Sequence, residues 1–345
     1  MKHRIIAFIV TPAQKSKKGK EVSPILSAKS APHYFEKTVP TQFILNEKEV
    51  SVGELPVKLV TKIYFPDFLL IEAIAEVKDI FAENILEIKD KLHELCYEAA
   101  NKNGGKSEIA EEYSIYQIYD YKGDPETIFL KGNEEKIANL LKSEKIDLDE
   151  KEVEYTLASK FKYGKSDLVI VDWDGAFVFD PIGEFDETIE LLEIANYQMM
   201  RYRALAHKLD ERMARVGKLL EPTRIKSQFS LWPVKEISDE FKEIIKVRSE
   251  SISQFELLEG EITLIGDWYS ARLYSMISKK FKLDGWRYVV KDKLESLEDI
   301  YSIASENLGM SKVQRLELFQ IWAFFGLQIG WLVLIILEFI YFTRK

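Results

Sequence analysis

One cysteine in 345 residues, Cys96, leaves no disulfide within the chain and suits a reducing compartment. Histidine is nearly as scarce. His3, His33, His93 and His207 are the only four, and no Cys/His pair stands at zinc spacing. His93 and Cys96 share a helical face but have no further ligands beside them, so no metal or cofactor is expected, and core packing explains them. Positive charge is also short, with 48 Lys and Arg against 57 Asp and Glu and a net charge of −9. That balance argues against nucleic acid as a partner, because phosphate binding needs a clustered cationic surface. The one cationic stretch, Lys15-Ser-Lys-Lys-Gly-Lys20, lies among Pro, Ser and Gly and reads as a solvated loop. No secretory signal is expected either. The apolar stretch Ile5–Val10 is shorter than the roughly 7–15 residues of a signal core and reads as the first β-strand. The large N-terminal part is therefore expected on the cytoplasmic side of a membrane.

What the chain does have is a long apolar run near its end. From Leu318 to Phe342 only Gln320, Gln328 and Glu338 are strongly polar, and Arg344-Lys345 follow. As a helix the run would extend roughly 37 Å, enough for a hydrocarbon core of about 30 Å. Trp322, Trp331 and Tyr341 supply aromatic rings of the kind that favour the membrane interface. The expectation is a single-span, tail-anchored protein with its transmembrane helix in residues 316–343. Within it, Gly326 and Gly330 form Gly-x-x-x-Gly with Gln328 between them. Small residues at i and i+4 let helices approach closely, and an amide can hydrogen-bond across the pair. Gly326, Gly330 and Gln328 are thus the expected sites of association in the bilayer.

The first 183 residues read as an α+β domain with a largely antiparallel sheet. Strand candidates are Ile5–Val10, Thr41–Asn46, Val57–Phe65, Tyr113–Tyr121 and Glu152–Lys162; helices are expected near Asp79–Asn101 and Glu134–Ser143. Asp167–Trp173 and Ala176–Phe179 flank Asp174-Gly175, a strong hairpin signal. Beyond Gly183 the pattern changes. Leu192, Ala195, Met199, Tyr202, Ala206, Leu209, Met213, Val216 and Leu220 step by three and four, as in a heptad seam. Similar spacing recurs at Ile245, Ile252, Phe255, Ile262, Tyr269, Leu273 and Met276, and again at Val290, Leu294, Leu297, Tyr301, Ala304 and Leu308. Residues 184–315 are therefore expected to form an antiparallel three-helix coiled-coil stalk, with room for association between chains.

Enzyme chemistry finds no positive support. Val169-Ile-Val-Asp172-Trp-Asp174-Gly175 resembles the first motif of haloacid-dehalogenase-type phosphotransferases, where one carboxylate attacks phosphorus and a second serves as acid–base. The following residues alternate into another strand, so a tight turn explains the motif better. The nearest match to that family's metal motif, Leu264-Ile-Gly266-Asp267, falls inside a heptad pattern. Asn103-Gly-Gly-Lys-Ser107 lacks the earlier glycine of a phosphate loop and follows a helix instead of preceding one.

The apolar hairpin Leu168–Phe179, the helix after it and Arg315-Leu-Glu317 leading into the terminal span resemble the "required for meiotic nuclear division" family of single-span membrane-anchored proteins. That resemblance implies association with an intracellular membrane, in a family whose molecular activity is obscure. CorA-type magnesium channels also join an α/β head to long helices entering the membrane, but they use two spans. A channel here would have to assemble single spans, with Gln320 and Gln328 lining it. The leading expectation is a tail-anchored scaffold or adaptor. Its partners would be the lipid bilayer, further copies of the chain, and a protein docked on the cytoplasmic head.

Overall fold

The apolar run Ile5–Val10 becomes the centre of β1 (Lys2–Pro12) in a computed structural model that describes residues 1–13, 20–22, 42–64, 67–219, 245–246, 248–256 and 268–343. Ile5, Ala7 and Ile9 are buried on one face of the strand, and Ile6, Phe8 and Val10 on the other. Burial on both faces is why this strand is continuously apolar instead of alternating. Eight more strands complete the sheet: β2 (Lys20–Val22), β3 (Gln42–Val52), β4 (Leu55–Tyr64), β5 (Phe68–Val77), β6 (Glu111–Tyr119), β7 (Lys160–Phe161), β8 (Leu168–Val171) and β9 (Gly175–Phe179). Their order is β2-β3-β4-β5-β1-β6-β9-β8-β7. Among the described strands only β6 and β9 pair in parallel, so the sheet is mixed.

One face is covered by α1 (Ile85–Lys102) and α2 (Glu134–Lys142). In α1, Ile85, Leu92, Cys96, Ala99 and Ala100 fall on one helical stripe and are buried. The loop after α1 folds back on the end of β1. Lys106 N donates to the Pro12 carbonyl at 3.0 Å, and Thr11 Oγ1 donates to the Lys106 carbonyl at 2.8 Å. The Asn103–Ser107 segment is thus a docking loop for β1.

Residues 152–162, expected as a strand, instead form most of a helix, α3 (Glu150–Leu157), with β7 limited to two residues. Asp149 caps it by accepting from Lys151 N at 3.0 Å, and Glu150 and Glu152 favour the positive end of the helix dipole. Val153, Thr156 and Leu157 then turn inward at helical spacing, which the apparent alternation concealed.

The β8–β9 hairpin forms as the Asp174-Gly175 pair implied. Gly175 is needed for close approach, since a Cβ there would lie 3.1 Å from the Ser114 carbonyl oxygen and 3.5 Å from that of Leu141. Gly175→Val should therefore destabilise the sheet by about 1–3 kcal/mol through overpacking. A denaturation midpoint unchanged from wild type would rule out this constraint.

The second face is covered by α4 (Asp186–Leu219) and α5 (Trp268–Lys280). Leu192, Ala195 and Met199, the first seam positions, belong to the same buried cluster as Ile6, Phe8 and Tyr64. Tyr197 stacks on Tyr64 at 4.7 Å, and Phe281 meets Tyr113 edge-on at 5.4 Å. Here the apolar stripe is the underside of helices lying on a sheet.

The chain divides into two units. The first, Met1–His207 with Ser253–Lys291, holds the sheet and the helices on its faces. The second, Lys208–Ile252 with Asp292–Lys345, contains the end of α4, helical residues within 245–252 and most of α6 (Leu283–Thr343). Arg212 pairs with Glu250 at 3.2 Å and Arg248 with Glu298 at 2.6 Å, while Lys293 bonds Asp210. Those three ion pairs tie three helical segments together. Ile262, Leu220 and Asp267 lie outside the described residues, as do the Lys15–Gly19 part of the cationic stretch and His33.

Candidate functional site

The expected membrane segment lies at the C-terminal end of α6. Phe319–Tyr341 is one largely apolar helix of 23 residues, an 18-residue stretch of which reaches a mean hydropathy of 2.2, and none of it is buried. It is long and apolar enough to cross a bilayer. Among the described residues, Gly326 and Gly330 have no other group within 4 Å of where a Cβ would stand, so both present open backbone there. Helical geometry separates the three expected association residues. At about 100° per residue, Gln328 sits roughly 160–200° around the helix from both glycines. One two-helix contact therefore cannot hold all three centrally.

The sheet unit carries two buried charge clusters. In the first, the hairpin brings Asp172 to the end of α5. Its Oδ1 is 2.8 Å from Lys280 Nζ, and its Oδ2 is 3.8 Å from Lys142 Nζ. Lys142 also meets Glu152 at 2.7 Å, and those two carboxylates lift its ammonium upward against the lowering effect of burial. Asp172 is only 4% exposed, and Tyr113 Oη donates to its backbone carbonyl at 3.1 Å. A phosphoryl-accepting carboxylate must face a substrate cleft, whereas this one is buried between two lysines. Asp174 lies exposed at the turn, with its carboxyl pushed up first by lost solvation and then by the charge of Asp172. Among the described residues no three His, Cys, Asp or Glu side chains are grouped to hold a metal.

Beside this turn, on the α1 face, His93 Nε2 lies 2.9 Å from Ser114 Oγ. Burial lowers the His93 pKa to about 4, with Glu112 and Asp90 opposing that shift and Lys89 adding to it. Cys96 Sγ donates to the Ala7 carbonyl at 3.4 Å, and burial pushes its thiol well up. Both side chains are core groups, as their shared helical face suggested.

The second cluster had no motif to announce it. Lys62 Nζ bridges Glu72 Oε1 at 2.6 Å and Glu193 at 2.9 and 3.0 Å. Tyr64 Oη donates to Glu193 Oε2 at 3.0 Å, and its own ionisation is pushed far up by burial and then by Glu190 and Glu72. Glu72 and Glu193 are 4% and 1% exposed. Gln42 Nε2 reaches Glu190 at 3.2 Å on the wall of an adjoining cavity of about 140 Å³. Lys62 and Glu72 come from neighbouring strands and Glu193 from α4, so the cluster pins that helix to the sheet.

No solved structure matches this chain. It is 26% identical over 276 residues to "Uncharacterized protein MJ0711" of Methanocaldococcus jannaschii, covering 79% of this chain and 80% of that protein. Residues 11–186, which run from the end of β1 to the start of α4, match a family model built on the N-terminal part of such proteins. By that match over half its length, the chain belongs to the family described as "Uncharacterized protein MJ0711, N-terminal domain".

Proposed function

We propose that this protein is a non-enzymatic membrane scaffold or adaptor, anchored by the Phe319–Tyr341 span and self-associating through its helical segments and that span. The observation that carries the reading is the helix Phe319–Tyr341, apolar save for Gln320, Gln328 and Glu338, which the described residues leave exposed along its whole length and which calls for an apolar surrounding. The head would lie in the cytoplasm and present a surface to a protein partner. The ion pairs among Asp210, Arg212, Glu250, Arg248, Lys293 and Glu298 support a short helical bundle before the span, with coiled-coil packing as the proposed form. The burial of Asp172 between Lys142 and Lys280 favours a structural latch over phosphoryl transfer. The resemblance to the "required for meiotic nuclear division" family points to the same class of membrane-anchored protein.

The test is the mass of the full-length protein in mild detergent, by light scattering with the detergent contribution subtracted. A dimer is the expected result. A monomer near 40.1 kDa would remove self-association from the reading. A tetramer or pentamer would favour an ion pathway built from single spans and make ion flux the next assay.

A further inference from the structure

The span carries two kinds of side, and they make unequal demands on their surroundings. Gln320 and Glu338 are 18 residues apart, five full helical turns, and so point in the same direction. Gln328 lies about 80° from both, so the three form one polar stripe that also contains Phe324, Trp331 and Ile335. Ala323, Gly326 and Gly330 fall within about 60° of one another on a different side. A glycine side facing lipid leaves no polar side chain unsatisfied. The glutamine side does, because an amide in hydrocarbon without a partner loses its hydrogen bonds to water and gains none. Gln328 is two residues from Gly330, the midpoint of Phe319–Tyr341, where hydration is poorest. Gln320 and Glu338 sit nearer the ends, within reach of the interfaces.

We infer that the Gln320–Gln328 stripe is the surface on which a second copy of this chain docks, leaving the glycine side to lipid. This rests on the self-association proposed above and specifies its interface. The choice of occupant follows from the amide, which carries both donors and acceptors. It is complementary to itself across a two-fold axis normal to the membrane. Copies inserted with the same topology place Gln328 opposite Gln328 and Gln320 opposite Gln320 at matching depths. Phe324, Trp331 and Ile335 then fill the spaces between the amides, while Glu338 of each copy reaches toward the headgroups.

Single cysteines placed in turn along Phe319–Tyr341 of the full-length protein, in membranes under mild oxidation, read the facing side directly. Cys96 is fully buried and its thiol pKa is raised, so it stays silent. The expected pattern is strong dimer cross-linking at positions 324, 328, 331 and 335 and weak cross-linking at 326 and 330. With the cysteine reporter at 324, Gln328→Leu should lower the dimer yield about fivefold, the scale of one interhelical hydrogen bond, and Gln328→Asn should restore most of it. Peaks at 323, 326, 330 and 337 would overturn the inference and give the contact to the glycines, with self-association intact. Uniformly weak cross-linking of a protein whose detergent mass is still dimeric would also overturn it, placing association outside the span. Uniformly weak cross-linking with a monomer mass would overturn self-association itself.

Discussion

Lys62→Met should destabilise the sheet unit by about 3–5 kcal/mol, the usual cost of stripping the partner from buried charges. Its ammonium is the shared partner of Glu72 and Glu193, at 2.6 and 2.9 Å, and both carboxylates are nearly inaccessible to water. Without it two negative groups face each other beneath α4, and Tyr64 Oη, already bonded to Glu193, cannot supply a charge. Two controls separate charge from packing. Adding Glu193→Gln to Lys62→Met should recover part of the loss by removing one uncompensated charge. Glu72→Gln alone should cost much less, because Lys62 and Glu193 remain paired. Urea midpoints of the full-length proteins in detergent, wild type included, measure all of these differences. A cost below about 1 kcal/mol for Lys62→Met, typical of an exposed ion pair, would mean that water reaches the cluster.

Acid should weaken the same unit through His93. Its pKa falls from 6.5 to about 4 on folding because the buried ring resists charging. Above pH 6.5 the ring is neutral in both folded and unfolded chains and contributes no pH dependence. As pH falls from 6.5 toward 4 the unfolded chain takes up a proton that the folded chain refuses, and stability is lost. A tenfold difference in proton affinity is worth about 1.36 kcal/mol, so the loss approaches roughly 3 kcal/mol. His93→Gln keeps a group able to bond Ser114 and removes the titration. The stability advantage of wild type over this variant should therefore shrink by about 3 kcal/mol between pH 7 and pH 4. Comparing the two proteins at each pH cancels the carboxylates that titrate in the same range. An advantage that stays constant with pH would show that His93 is solvated or takes its proton in the folded state.

Strands buried on both faces or bounded by turn residues were legible because one local pattern sufficed. Ile5–Val10, Val57–Phe65 and the hairpin around Asp174-Gly175 belong to this class. The apolar helix was legible for the same reason, since Glu338 is the one charged residue in the run Phe319–Tyr341. The 152–162 segment misled because Val153, Tyr155 and Leu157 alternate like a strand, while the cap at Asp149 lies just outside the window. The seam from Leu192 to Met199 was visible, but a stripe at steps of three and four does not say what it faces. Helix on helix and helix on sheet need the same spacing, and in the first unit the sheet takes it. The Lys62 cluster was beyond reach. Lys62 and Glu193 are 131 residues apart, and no local pattern marks two ordinary charges that meet only after β4, β5 and α4 have assembled. Gln328 needed only helical geometry: two residues from Gly326, it must turn to the other side of the helix.

The arrangement around β1 also sets a timetable for synthesis. Ile6, Phe8 and Val10 are made long before part of the cluster that covers them, which includes Tyr269, Leu273, Ile277, Phe281 and Leu283. A ribosome adding about 5–20 residues per second would need roughly 15–60 s to get from one group to the other. During that interval the nascent sheet shows an oily face to the cell, and the apolar helix Phe319–Tyr341 emerges soon after the last covering residues. A chaperone that shields apolar surface would thus meet two clients in succession on one chain, first the half-covered sheet and then the apolar helix.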